Sequence, residues 1–274
     1  MSTTAIDRDR LVMSLDEQEY HQLPGLSSTH IKWLLRSPAH YRHLSANRVE
    51  RAEFDLGHAV HAKVLGVGLD VEVIPGAWNT KAAKEAVEAA RVAGKVPLKP
   101  ETVAQVDAIA EAVTTHPVAK ALLSNGHPEV SAFWTDETTG LACRGRFDWI
   151  TTLADGRHCI VDLKTTGKPA PGFDRAVTDY GYDSQAFHYA DGYRAITGED
   201  PLYLWVLVET EAPHGVVVRQ ATEDVMRLGE LKTLRAREIL RDCLAADLWP
   251  PYPTDIEPVR VAPWALRDAE EKYL

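Results

Sequence analysis

The sequence predicts a mixed α/β domain in which a helical portion precedes a sheet. Three observations point there. Ala-rich, amphipathic stretches dominate the chain up to about residue 127, and three strand-like runs then follow in succession. Further on, Pro201-Leu-Tyr-Leu-Trp-Val-Leu-Val208 is an almost unbroken apolar run, the pattern of a central strand covered on both faces. Helices, three strands, helix, two strands and a helix is an order that packed α/β layers accommodate.

Residues 1–22 are polar without sustained periodicity and are expected to form a loose arm. One domain is expected over 23–274, with a helical portion (23–127), a core (128–246) and a C-terminal arm (247–274). Leu23-Pro24-Gly25-Leu26 reads as a turn, after which Ser27 or Ser28 can cap a helix carrying Ile31, Trp33, Leu34 and Leu35. Pro38 stands where that helix stops or the next begins. Phe54 to Leu65 is helix-like, with Phe54, Ala59, Ala62 and Leu65 as its apolar face. Thr80–Ala93 and Glu101–Leu123 read as two more helices, separated by Gly94 and the Pro97–Pro100 segment. Val130–Trp134, Leu141–Thr152 and His158–Thr165 read as strands, the last two joined by the turn Ala154-Asp155-Gly156. Ser184–Ile196 is helical, Gly215–Arg219 is the hairpin partner of the apolar strand, and Thr222–Ala246 is a long amphipathic helix. The Pro- and Trp-rich tail, Trp249–Leu274, is expected to pack as an extended arm.

Composition narrows the function. The chain has 274 residues, 45% hydrophobic and 26% charged, with 7 Trp, 9 Tyr and 5 Phe, which exclude general disorder. No apolar run approaches the roughly 20 residues of a membrane helix. The start lacks the apolar stretch of a secretory signal, so a cytoplasmic location and no membrane partner are expected. Three scattered cysteines, Cys143, Cys159 and Cys243, exclude a disulfide scaffold and an iron–sulfur cluster. The net charge of −10 disfavours nucleic acid only superficially. Carboxylates that hold cations are themselves acidic, and a local basic patch can coexist with an acidic remainder.

The chemistry concentrates in Arg144-Gly-Arg-Phe-Asp148 and Ile160-Val-Asp-Leu-Lys-Thr-Thr166. In a hairpin centred on Asp155, Asp148 and Asp162 are directly opposed, with Arg146 opposite Lys164. Opposed side chains share a face, and Lys164, two residues on, points to that same face. On this alternation Val161 and Leu163 enter the core while Ile160, Asp162 and Lys164 face the other way. Two such carboxylates repel unless a proton or cation lies between them, and their oxygens suit Mg²⁺ or Mn²⁺. A neighbouring lysine can stabilise developing negative charge or, with a lowered pKa, activate water. Together these are equipment for metal-assisted phosphodiester hydrolysis; a surface Asp–Lys ion pair is the plain alternative. Gln185 and Tyr189 share a helical stripe, His61 follows Gly57 by four residues, and Glu129 stands just before the first strand of the core. His58 and His188 read as exposed, and Cys143 and Cys159 as small buried strand residues.

Glu129, Asp148, Asp162-Leu-Lys164 and Gln185-x-x-x-Tyr189, in that order, resemble the PD-(D/E)xK nuclease superfamily, and within it the RecE-type exonucleases. Gly57-x-x-x-His61, the Ser27-Ser28…Ser37-Pro38…Tyr41 start and the Trp249/Pro263-Trp264 tail are similar to that family too. The likeness runs from about residue 23 to 266. It implies a restriction-endonuclease-like mixed sheet flanked by helices. It further implies that His61, Asp148 and Asp162, with the Leu163 carbonyl and Glu129, hold Mg²⁺ (or Mn²⁺). Lys164 would position or activate water, and Gln185 and Tyr189 would support Lys164 and the scissile phosphate. Arg144, Arg146, Thr165 and Thr166 are candidate DNA contacts; a solvated edge and ordinary strand residues are equally open readings of them. The expected activity is digestion of linear duplex DNA from the 5′ end, leaving a 3′ overhang for a single-strand annealing protein, by a homo-oligomeric ring (a tetramer by resemblance). A structure-specific endonuclease and a non-catalytic DNA-binding or assembly protein remain as alternatives.

Overall fold

A computed structural model of the chain describes residues 9–47, 55–256 and 258–274. Its centre is a six-stranded sheet ordered β1-β4-β5-β6-β7-β8. These are β1 (Arg10–Val12), β4 (His127–Thr135), β5 (Ala142–Thr152), β6 (His158–Thr166), β7 (Leu202–Glu209) and β8 (Val216–Gln220). Neighbours are antiparallel except β6 and β7, which run parallel. The crossover between them carries α8 (Phe173–Asp179) and α9 (Tyr182–Thr197), as a parallel pair requires. The expected fold class is the one observed.

Both faces of the sheet are covered. On one face Trp134, Phe147, Ile160, Trp205 and Leu207 pack with residues of α2 (Ser28–Arg36), α9 and α10 (Glu223–Ala246). On the other, Val161, Leu163, Val206 and Val208 meet α4 (Asp55–Leu65), α6 (Pro100–Thr115) and α7 (Pro117–Leu122). The alternation along β7 explains its unbroken apolar sequence: odd and even positions enter different clusters. Ile160 and Asp162 are also fully buried, so their side of β6 is core and not the open face that simple alternation suggested. A small parallel pair, β2 (Val71–Val73) with β3 (Val96–Leu98), flanks α5 (Lys81–Val92) in the chain.

Local chemistry accounts for the helix ends. Ser27 accepts from the His30 amide and His30 returns the bond, a reciprocal cap on α2. Ser37 ends α2 and caps α3 (Pro38–Ala46), with Pro38 at the first helical position where its missing N–H costs nothing. The helix expected over 101–123 is divided at His116, because Pro117 starts a new helix and cannot donate to the old one. The turn at 154–156 forms as expected, with Gly156 at φ +87°.

Two arms differ from expectation. Residues 10–22 are not loose: β1 pairs with β4, and α1 (Glu17–Gln22) follows. No periodicity announced β1, because its pairing is with residues more than a hundred positions away. In the tail, residues 263–273 form α11 and not an extended arm; Pro263 sits in its first turn. Residues 1–8 of the expected arm, and Phe54, lie outside the described residues. All three cysteines are buried and unpaired with one another.

Candidate active site

The site forms where the regular pairing of β5 gives out. Trp149↔Val161 is the last regular pair of the β5–β6 ladder, and the same register continued one step sets Asp148 against Asp162, as the hairpin arithmetic required. Instead of a backbone bond, Asp148 Oδ2 accepts from the Leu163 amide at 2.8 Å. On the other edge, Pro128↔Trp149 and Val130↔Phe147 pair, but Glu129 and Asp148 between them do not. Glu129 has φ +50°, a left-handed conformation that costs a non-glycine residue about 1–2 kcal/mol. The pleat breaks at the same point: Phe147 and Ile150 both enter one apolar cluster while Trp149 enters the other. Strict alternation would separate Phe147 from Ile150.

This irregularity gathers His61, Glu129 and Asp148, each with a ligand atom within 4.8 Å of the others. His61, on α4, lies 2.7 Å through Nε2 from the Leu163 carbonyl, which fixes Nε2 as the protonated nitrogen. Its Nδ1 then faces Asp148 Oδ2 at 3.6 Å. Burial and the nearby Lys164 charge lower the His61 pKa, so the ring stays neutral with a lone pair on Nδ1. Burial, then the charge of Asp162, push the Asp148 carboxyl up to about 7. Burial and Asp148 likewise raise Glu129, against the pull of Arg146, whose Nε lies 2.5 Å from Glu129 Oε2. A lone pair and two electrostatically stressed carboxylates facing one point fit a divalent cation, which would relieve the stress.

Asp162 stands beside this cluster. It is fully buried, with Oδ2 2.5 Å from Lys164 Nζ and Oδ1 accepting from Gln185 Nε2 at 3.0 Å. Burial alone would lower the Lys164 pKa, but Asp162 and Asp148 outweigh it and leave it raised. Lys164 is therefore an ammonium, suited to orienting groups and balancing negative charge and not to taking a proton. Gln185 reaches Lys164 through Asp162, whose Oδ1 it holds while Oδ2 meets the ammonium. Tyr189, one turn along α9, lies 3.0 Å from where a Cβ on Gly145 would be, so only glycine admits the ring there. Its hydroxyl bonds with Ser28 and Gln185, and burial drives its pKa well up.

The two arginines of β5 have other employment. Arg144 is buried; it donates to the carbonyls of Tyr20, His21 and Leu23 and lies over the Tyr20 ring. It tethers the N-terminal segment and also lines a cleft with Arg146 and Asp148. Arg146 holds Glu129 and the Leu15 carbonyl, and pairs with Ser131 on β4, not with Lys164 on β6. Thr165 lines a cleft of about 390 Å³ with His61, Gly57 and Thr210. Thr166 exchanges hydrogen bonds with Lys168 in the turn that follows. A second cleft, about 320 Å³, is lined by Ser28, Glu129, Arg146, Asp148 and Tyr189.

Some residues went unremarked or were set aside in the sequence. His58, exposed as expected, lines both clefts. His188 is fully buried, its Nε2 3.1–3.2 Å from the Arg144 and Leu26 carbonyls. Tyr182 places its ring 5.2 Å from Lys164 Nζ; its position three residues before Gln185 was the available signal.

The family described as a PDDEXK-like domain of unknown function (DUF3799) matches residues 27–261. The chain belongs to this family. Among solved structures, a Eubacterium rectale protein provisionally designated an exonuclease shares the fold of this PDDEXK-like chain. The two superpose with a TM-score of 0.61 at 14% identity, over 93% of this chain and 98% of the other. The structure of SSO0001 aligns with 67% of this chain and 85% of its own at a TM-score of 0.31 and 14% identity, too remote to argue from. No curated protein matches the sequence significantly. Fold and family are together those of the PD-(D/E)xK superfamily, and the cluster of His61, Glu129 and Asp148 fits a divalent cation.

Proposed function

We propose that the chain is a Mg²⁺-dependent exodeoxyribonuclease (Mn²⁺ substituting) that degrades linear duplex DNA from the 5′ end and leaves 3′ overhangs for strand annealing. One observation carries the reading: the break in β5 gathers His61, Glu129 and Asp148 beside the buried Asp162–Lys164 pair. His61, Glu129 and Asp148 would hold the cation, with Asp162 and the Leu163 carbonyl adjoining. When bound, the cation supplies Lewis acidity toward a phosphodiester. The Lys164 ammonium orients the attacking water and balances charge as the phosphorane forms. Asp162 and Gln185 fix Lys164 in place, and Tyr189 borders the phosphate's approach. Hydrolysis leaves a 5′-phosphate on the released nucleotide.

The exonuclease designation of the Eubacterium rectale protein agrees with this reading. A homo-oligomeric ring, a tetramer by resemblance, would supply processivity and set a basic channel inside an acidic exterior; a single-strand annealing protein would receive the product. The test uses linear duplex DNA labelled at each 5′ end and internally, a covalently closed circle, Mg²⁺, and the Lys164→Ala variant. Release of 5′-terminal mononucleotide from the linear substrate alone, lost in the variant, is the expected result. Nicking of the circle would make the enzyme an endonuclease, and inertness toward both DNAs with Mg²⁺ and Mn²⁺ would end the catalytic reading.

A further inference from the structure

Beyond the cation cluster, a second feature surrounds Lys164. Gly181, at φ +70°, precedes α9. The stem of Lys32, from α2, lies across it: a Cβ on Gly181 would stand 2.8 Å from Lys32 Cδ and 2.9 Å from Cγ. Lys164 lies over the Tyr182 ring at 5.2 Å. Two lysines thus approach the short segment 180–182 from different elements. Lys164 has its carboxylate, Asp162, at 2.5 Å. Among the described residues no carboxylate pairs with Lys32. Desolvation and the Lys164 charge together lower the Lys32 pKa, as for a cation that lacks its counter-charge.

The same segment carries aromatic surface. Tyr182 stacks on the buried Phe173, centroids 5.6 Å apart and planes at 21°. Tyr180, its ring 5.8 Å from that of Tyr182, is 50% exposed. The Phe173–Tyr182 pair is thus anchored in the core, and Tyr180, tilted at 47° to Tyr182, carries the aromatic surface out to solvent. A lysine with no carboxylate partner among the described residues, its stem against Gly181 between the two tyrosines, and an open aromatic face are the combination that single-stranded nucleic acid uses, phosphate to cation and base to ring. Inside a duplex no base face is free, because the bases already stack on one another; an unpaired stretch offers a face at every base.

We infer that Lys32, Tyr180 and Tyr182 form a lip that holds an unpaired stretch of the DNA strand, Lys32 taking a backbone phosphate and Tyr180 stacking on a base. This rests on the nuclease reading and adds to it a site for frayed or product strand next to Lys164. The probe is a dye-labelled 12-nucleotide single-stranded DNA, titrated with the full chain in Ca²⁺ over a range of salt; cleavage of linear duplex in Mg²⁺ is measured in parallel. Lys32→Gln should weaken binding and reduce the slope of log K against log salt by about 0.7, the share of one phosphate on a single strand. Lys32→Arg should restore the slope. Tyr180→Ala should weaken binding about five- to tenfold, at the lower end of the stacking range, without changing the slope. In cleavage the effects should fall on KM and leave kcat near the wild-type value. A wild-type slope and affinity in Lys32→Gln, with cleavage intact, would overturn the lip alone. A wild-type chain that neither binds the oligonucleotide nor cuts duplex would overturn the nuclease reading, and the lip with it.

Discussion

Asp148→Asn should make the metal-free protein more stable and, at the same time, insensitive to metal. Folding takes this carboxyl from its usual 3.8 up to about 7, through burial and the Asp162 charge. Between those values the folded state holds a proton that the unfolded chain has lost, so stability falls as pH rises from about 4 to 7 and stays low above. At about 1.4 kcal/mol per pKa unit, the full cost at pH 8 is about 4 kcal/mol. At pH 5 less than half of it has developed. Asparagine removes the charge and its Oδ1 can still accept from the Leu163 amide, as Asp148 Oδ2 does at 2.8 Å. In EDTA at pH 8 the variant should melt about 10 °C above the wild type, given about 2–4 °C per kcal/mol for a domain of this size. At pH 5 the gap should shrink by more than half. Adding Mn²⁺ should raise the melting temperature of the wild type and leave the variant unmoved, because ligand binding stabilises only a state that binds. A variant melting at or below the wild type at pH 8 in EDTA would refute the claim that Asp148 is held under electrostatic stress for a cation.

Three further outcomes follow from other contacts. Lys164→Ala should lower kcat by about 10²-fold or more, the scale of losing one aimed charge at a reacting centre, while circular dichroism and melting show the fold retained; activity within a few-fold of wild type would exclude its role. His188, held neutral with its pKa lowered to about 3 by burial and the Arg237 charge, must stay unprotonated in the fold. Acid therefore weakens the protein from pH 6.5 downward, by about 2 kcal/mol at pH 5, and denaturant titrations of His188→Gln should lack that share of the acid slope. Gly229→Ala would set a Cβ 2.1 Å from the Asp183 carbonyl oxygen, forcing α10 off α9; a loss of about 1–3 kcal/mol is expected, and an unchanged melting temperature would contradict the close packing.

What the sequence disclosed was governed by distance along the chain. The β5–β6 register follows from a turn only a few residues long, so counting outward from Asp155 sufficed to set Asp148 against Asp162. Gln185 and Tyr189 share a stripe by helical period alone. The Pro117 division and the start of α11 at Pro263 were equally local and carried visible signals. By contrast, the tether from Arg144 to the Tyr20 carbonyl spans 124 positions, and the contact from His61 to Leu163 spans 102. No periodicity encodes such contacts. The charge state of Lys164 was illegible for a related reason: it depends on how far Asp162 is buried, and a hairpin drawn in isolation leaves that face open. The left-handed turn at Glu129 has no compositional mark, since the residue that adopts it is an ordinary glutamate.

The cysteines have a practical consequence. Burial holds the Cys143 and Cys159 thiols up at about 12 and raises Cys243 as well, so at neutral pH none presents a thiolate to solvent. Native side chains should therefore remain silent toward maleimide dyes. A single Thr178→Cys substitution, exposed on α8 two residues before Tyr180, would then supply one addressable position next to the lip, from which fluorescence could follow a DNA strand arriving and leaving in real time.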